Sequence, residues 1–313
     1  MQSQINAGLI QSSFSDDRDE NWKKLTQLLE LAAENGTELV VLPELHNGRY
    51  FCQHEDSKEF ERAETIPGPA SEFLSTLARR LKLVIIGSIF ERRAAGLYHN
   101  TAVVLDNDGS LAGFYRKMHI PDDPGYHEKY YFAPGDTGFK PVQTSIGKIG
   151  VLICWDQWFP EAARLMTLAG AELLVYPTAI GWDPADSEEE QQRQLDSWIT
   201  IQRAHAISNG IPVLTANRRG HESDPGGKTK GVEFWGNSFI CGPQGEILSQ
   251  VDAGNDCLLQ AELDPGHTEK VRQTWPFLRD RRIDAYTGLT RRFIDETVEN
   301  CHIEDDSTNK GEK

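Results

Sequence analysis

Positive charge is what this sequence lacks most: 32 Lys and Arg stand against 48 Asp and Glu, for a formal net charge of -16. Phosphate contacts need clusters of Lys and Arg, so nucleic acid is excluded as a partner. The summed field instead favours cationic ligands. Long apolar runs are missing too. No stretch approaches the roughly 18 apolar residues of a membrane span. The opening "MQSQINAGLIQSSF" has no basic segment and no long apolar run, so neither a secretory signal nor a membrane anchor is expected. Cysteine is sparse. Cys52, Cys154, Cys241, Cys257 and Cys301 are odd in number and scattered, with no C-x-x-C pair. That argues against a disulfide framework and against dithiol redox chemistry, and it points to a cytoplasmic protein with reduced thiols. None of the nine histidines falls in a recognised ligand spacing such as H-E-x-x-H, so neither metal nor cofactor is expected.

What is present reads as alternating strands and helices. "INAGLIQ" is a strand, and "SDDRDENWKKLTQLLELAAENG" is a helix with an acidic first turn and an apolar face of Leu25, Leu28, Leu29 and Ala32. "ELVVLPE" is a short buried strand, "GPASEFLSTLARRLKL" a second helix and "LVIIGSIFER" the next strand. "HNTAVVLDNDGSLAGFYRK" forms a hairpin around Asn107-Asp108-Gly109. After a second strand pair ending in "GVLIC" the series echoes itself: a helix over 160–169, the strand "ELLVYPT", a long helix near 188–208, the strand "IPVLTANR" and a third hairpin region. This order predicts an α/β chain with a mixed sheet layered by helices. Residues 1–290 are expected to form one domain, followed over 291–313 by a C-terminal helix and a disordered polar tail. The long polar connections, 121–140 and 179–190, are where a site is expected.

Three strand ends carry candidate chemistry. Cys154 closes "GVLIC" just ahead of a helix expected to start at Pro160, where the helix dipole would favour the thiolate. The N–H groups of Trp155 and Asp156 are expected to face the place where an oxyanion would form. Taken alone, such a cysteine is ordinary core. Glu44, after "VVLP", is a carboxylate at the lip of an apolar sheet, suited to general acid/base work, or a solvated loop acid. Lys117, in "YRKMHIP", would stabilise a thiolate and then an oxyanion, or simply snorkel at the surface. Glu128, in "YHEKYYF", could orient Lys117, and His127 beside it is a rival base. "SDPGGKTKG" at 223–231 has the look of a phosphate loop. No strand leads into it, and "GVEFWGN" after it reads as strand, so no nucleotide site is expected.

Together, "LVVLPE", "YRKMHIP" and "GKIGVLICWDQWFPEAARLMTLAGAELLVYPT" resemble the nitrilase, or carbon–nitrogen hydrolase, superfamily over residues 4 to 288. The resemblance implies a four-layer α-β-β-α sandwich with two mixed β-sheets, a catalytic triad of Glu44, Lys117 and Cys154, an accessory Glu128, and a homo-oligomer, dimer or higher. "HIPDDPGYHEKYYFAPGDTGF", "CWDQW" and "TWPFLRDRRIDAY" resemble its branch acting on carbamoyl amines. That implies hydrolysis of N-carbamoylputrescine to putrescine, CO2 and ammonia, in polyamine biosynthesis. Other amidases and carbamoylases of the superfamily act on carboxylate-bearing substrates, for which Arg218 or Arg219 would supply a cation. A non-catalytic interaction protein on the same fold is the reading of a different class.

A substrate with a distal ammonium needs a carboxylate in its pocket, because an unpaired buried cation is costly. Asp183, beyond the strand "ELLVYPT", is the first choice, with Asp156 and Asp122 as rivals. Trp155, Trp158, Trp182 and Tyr130 are expected to wall the carbon chain. Glu188, Glu189 and Glu190 read as solvated acids.

Overall fold

The computed structural model describes residues 4–294. β1 (Ile5–Gln11) falls on the first apolar run. Asp17 then caps α1 (Arg18–Glu34) by accepting from the Asp19 and Glu20 N–H groups. Leu25, Leu29 and Ala32 turn inward. The chain leaves the helix through Gly36 at φ 75°, a left-handed conformation that glycine adopts without strain. β2 (Leu39–Val41), α2 (Pro69–Leu81), β3 (Val84–Ala94), β4 (Leu97–Leu105) and β5 (Leu111–Arg116) complete the first half. β4 and β5 form the expected hairpin, turning at Gly109 (φ 84°). A further hairpin joins β3 to β4.

The second half runs α3 (Glu128–Tyr131), β6 (Val142–Thr144), β7 (Gly147–Val151), α4 (Pro160–Leu168), β8 (Leu173–Thr178), β9 (Gly181–Trp182), α5 (Glu188–Asn209) and β10 (Val213–Asn217). It continues through β11 (Arg219–Glu222), β12 (Val232–Trp235), β13 (Phe239–Cys241), β14 (Ile247–Gln250), β15 (Cys257–Leu263) and α6 (Pro265–Thr274). The sequence reading had no counterpart for α3 or α6. The third hairpin region runs on into β15, which leaves it and pairs with β1. Most of the expected C-terminal helix and tail lies outside the described residues.

One six-stranded sheet has the order β15-β1-β2-β3-β4-β5, and the other β14-β13-β10-β8-β7-β6. Both are mixed: β1/β2/β3 and β7/β8/β10 are parallel, and the flanking pairs are antiparallel. α1 and α2 contact the first sheet, α4 and α5 the second, and β1, β2 and β3 meet β8 and β10 across the middle. The result is a four-layer α-β-β-α sandwich. Alternation along each strand explains the layering. Leu39 and Val41 of β2 point into the core between the sheets, whereas Val40 points toward α1 and α2. Val84 and Ile86 against Ile85 in β3, and Ala102 and Val104 against Val103 in β4, repeat the pattern. With both faces covered, the strands are continuously apolar, and each buried Leu, Ile or Val contributes about 1.5–3 kcal/mol. No helix among the described residues is long and apolar enough to cross a membrane. This frame fixes the strand ends from which Glu44, Lys117 and Cys154 project.

Candidate active site

Glu44 follows β2 through Leu42 and Pro43, where pairing with β3 ends. Lys117 follows β5 directly, and its N–H is held by the Asn100 carbonyl at 2.9 Å. All three side chains of the Glu44–Lys117–Glu128 cluster are fully buried. The Lys117 Nζ donates to Glu44 Oε1 at 2.8 Å and to Glu128 Oε2 at 2.6 Å. Two of its three N–H donors are thereby used, leaving one free. Tyr50 donates its hydroxyl to Glu128 Oε1 at 2.8 Å. Burial pushes the Glu128 carboxyl up, the Lys117 ammonium pulls it down and the Glu44 charge pushes it up again, to about 7. Burial works against the charge on Lys117, but the two carboxylates outweigh it and raise the ammonium well above its ordinary range. Lys117 is therefore charged in the cluster.

Cys154 lies at the end of the chain leaving β7, in a short 3-10 turn over Cys154–Trp158. α4 begins at Pro160, as expected, and the 3-10 turn separates its N-terminus from the thiol. Cys154 has φ 43°, a left-handed conformation unusual for a residue with a Cβ. Such strain is held only where the surroundings over-determine it. Asp156 supplies much of that determination. Its carboxylate accepts from the Ile153 N–H at 2.9 Å, the His119 N–H at 3.0 Å and the Tyr115 hydroxyl at 2.9 Å. The Cys154 thiol donates to the Ala179 carbonyl at 3.7 Å. Burial and then the Glu44 charge push this thiol well above its ordinary range, against the pull of Lys117. The resting group is thus the thiol, and a base must act on it. Asp156 N–H is spent on the Ile153 carbonyl at 3.0 Å, so, of the two N–H groups expected to face an oxyanion, it is not free to do so.

A cavity of about 620 Å³ opens over Cys154. Trp155, Trp158 and Asp183, all singled out in the sequence, line it, together with Tyr126, Trp235, Asp123, Asp186, Glu190 and Arg193. Glu190 is therefore part of the wall rather than a purely solvated acid. Other expected binding residues lie elsewhere. The Asp156 carboxylate is turned into the fold and consumed by the donors named above. Asp122 is exposed, 3.7 Å from His127. Tyr130 sits on Phe60 and Tyr131 in a different hollow. Trp182 donates its indole N–H to the Gln191 carbonyl at 3.2 Å and packs behind Trp235. Tyr126 and Trp235 were missed. Tyr126 accepts from the Gly181 N–H at 2.8 Å, so its own proton is available to the cavity, and nothing in "PGYHE" or "EFWGN" marks either residue in advance. A second cavity of about 630 Å³, lined by Asp16, Arg49 and Arg62 among others, has no cysteine in its lining.

The two arginines considered as substrate cations have other work. Arg218 is fully buried and pairs with Glu222 at 2.7 Å. It donates to the carbonyls of Glu44 (2.9 Å), Leu45 and Gly48 (3.0 Å), holding the loop that carries Glu44. Arg219 pairs with Asp256 at 2.8 Å. The phosphate-loop look-alike is also explained: its backbone N–H groups at Gly226, Lys228 and Thr229 close on the chain's own Asp224 carboxylate. No group of three or more His, Cys, Asp and Glu side chains among the described residues is arranged to hold a metal ion. A buried carboxylate, an ammonium and a thiol on adjoining strand ends can together perform acyl transfer through a covalent thiol adduct.

Residues 4–273 match the carbon-nitrogen hydrolase family. A solved carbon-nitrogen hydrolase from Helicobacter pylori G27 is 51% identical, with a TM-score of 0.90, covering 93% of this chain and 100% of that one. Citrullinase of Francisella tularensis subsp. tularensis is 40% identical over 92% of this chain and 99% of its own length. N-carbamoylputrescine amidase of Arabidopsis thaliana is 43% identical over 90% of this chain and 93% of its own. The chain belongs to the carbon-nitrogen hydrolase family, within the nitrilase superfamily, and is an enzyme of that class.

Proposed function

We propose that this enzyme hydrolyses N-carbamoylputrescine to putrescine, CO2 and ammonia, with Cys154 as nucleophile, Glu44 as general base and acid, Lys117 in the oxyanion site and Glu128 as the partner that holds Lys117. Glu44 takes the thiol proton, and the sulfur attacks the ureido carbon. The oxyanion is met by the free Lys117 N–H and the Trp155 N–H. Glu44 returns its proton to the departing nitrogen, leaving an acyl group on sulfur. It then takes a proton from water, whose oxygen attacks that carbon and releases the thiol. The carbamate that results breaks down to amine or ammonia and CO2, so one water is consumed for each ureido group.

The observation that carries the substrate is the charge of the cavity wall. Asp123, Asp183, Asp186 and Glu190 surround the opening, with Arg193 the one cation among the lining residues. Asp183 is the acid assigned to the distal ammonium. Its carboxylate so far accepts only the nearby Ala185 N–H at 2.8 Å. The aromatic walls of Trp155, Trp158 and Trp235 suit four methylene groups. A second reading, a ureido amino acid such as citrulline, is favoured by Arg193, which could meet an α-carboxylate after leaving Glu189 and Glu190, its partners at 3.0 and 2.7 Å. These exposed pairs are worth only about 0.3–0.5 kcal/mol and break easily. We also take residues 1–290 as one catalytic domain, and a homo-oligomer in the cytoplasm as the working form. The test is ammonia release from N-carbamoylputrescine, citrulline, carbamoyl-β-alanine, aliphatic amides and nitriles. The first should have the highest kcat/KM. A preference for citrulline would establish the second reading, and a preference for amides or nitriles would refute both.

A further inference from the structure

Glu44 has two carboxylate oxygens, and the fold treats them differently. Oε1 accepts from Lys117 Nζ at 2.8 Å and from Asn100 Nδ2 at 2.6 Å. Oε2 is buried and has no partner among the described residues. Two donors saturate the lone pairs of Oε1, so a proton can be taken only by Oε2. The asymmetry is set by a chain of hydrogen bonds whose direction is forced at each link. Leu45, the residue after Glu44, donates its backbone N–H to Ser88 Oγ at 3.1 Å. Ser88, with that lone pair occupied, gives its single proton to Asn100 Oδ1 at 2.7 Å. The Asn100 amide is thereby oriented, and its Nδ2 must face Glu44.

The sheet register makes the chain possible. Ser88 pairs with Ala102 on the neighbouring strand, which puts Asn100 on the same face at the diagonal position. Thr101 pairs with Arg116, so Asn100 lies beside Lys117. Both Ser88 and Asn100 are fully buried. In such a setting an unpaired link is expensive and a completed one is rigid. The relay begins on the backbone of the base loop and ends on the base itself.

We propose that Asn100 and Ser88 are positioning residues that select Oε2 of Glu44 as the proton-accepting atom for Cys154 and for the attacking water. The inference rests on the reading of Glu44 as the general base. Without the relay, Lys117 alone holds Oε1, and the reactive oxygen is less firmly aimed. A misplacement on the scale of 1 Å is worth roughly a hundredfold in rate.

The test compares wild type, Asn100→Ala, Ser88→Ala and Glu44→Gln. It measures kcat and KM on the best ureido substrate and the rate of Cys154 alkylation by iodoacetamide, each per intact Cys154 site counted by mass spectrometry. Asn100→Ala should lower kcat by roughly 30-fold or more with KM within about twofold of wild type, and alkylation should slow in parallel. Ser88→Ala should move kcat the same way by about three- to tenfold. A merely structural role would reduce the number of intact sites and leave kcat per site unchanged, which would overturn the proposal. So would a loss carried by KM alone. If Asn100→Ala does not fold, Ser88→Ala decides, with unchanged kcat per site as the refuting result. Glu44→Gln separates the two levels: if it retains turnover, the base assignment falls and the relay with it. If it is inactive while Asn100→Ala is not, only the relay falls.

Discussion

Arg218→Met tests what holds the base loop in place. The guanidinium is fully buried and makes five hydrogen bonds: two to Glu222 and one each to the carbonyls of Glu44, Leu45 and Gly48. It also lies 4.8 Å from the centre of the Phe14 ring. Methionine keeps much of the stem and none of the donors. Glu222 is then left buried with only the Tyr50 N–H, at 2.6 Å, to stabilise its charge. Removing one partner of a buried pair costs about 3–5 kcal/mol, and each orphaned carbonyl adds about 1 kcal/mol or more unless water reaches it. For a chain of 313 residues each kcal/mol lowers Tm by roughly 1.5–2 °C, so a fall of about 10 °C is expected. Differential scanning calorimetry on the single variant and on Arg218→Met/Glu222→Leu provides the assay. The double variant removes the stranded charge and should recover at least about half of the loss. A single-variant fall of under about 3 °C, or a double variant no better than the single, would refute the claim that the pair clamps the loop.

Other outcomes follow from the same geometry. Asp183→Asn should raise KM for N-carbamoylputrescine about tenfold or more with kcat little changed, since a charge-assisted contact is worth about 1.5–3 kcal/mol; an unchanged KM moves the ammonium to Asp186 or Glu190. Glu128 has its folded pKa raised from 4.5 to about 7, so it binds a proton more tightly folded than unfolded. Its contribution to stability is full below about 4.5 and lost as pH rises through about 7. Urea midpoints across that window should fall with pH in the wild type and flatten in Glu128→Gln. Gly135→Ala would place a Cβ 2.0 Å from the Arg116 carbonyl, where backbone cannot yield cheaply. A loss of about 1–3 kcal/mol and displaced Lys117 activity are expected, read by thermal shift and turnover.

Local signals carried the elements whose reasons are local. The helix α1 with its acidic first turn, the Asn107–Gly109 turn and the short apolar strand β2 depend on neighbours in the chain, and each lies where the pattern put it. The convergence of Glu44, Lys117 and Cys154 was readable because each follows an apolar strand in a motif of recognisable spacing. Asp156 shows where proximity misleads. It is two residues from the nucleophile, but the 3-10 turn points its carboxylate at Ile153, His119 and Tyr115. Ser88, Asn100 and Arg218 were illegible for the opposite reason. Their roles depend on cross-strand register and on contacts between sheets, and neither leaves a mark on the local sequence. The cavity wall is similar: Tyr126 and Trp235 meet there because β9 pairs with β12, a two-residue strand too short to announce itself.

The pairing of β1 with β15 covers all seven residues of each, from Ile5 opposite Leu263 to Gln11 opposite Cys257. During synthesis β1 therefore waits for its neighbour until the ribosome has passed residue 263. At about 5–20 residues per second that delay is roughly 10–50 s. Throughout it one edge of β1 offers unpaired N–H and C=O groups to any other nascent chain. Topology, rather than equilibrium stability, thus sets the interval in which this enzyme is most exposed to association, and chaperone binding to the nascent chain would act there.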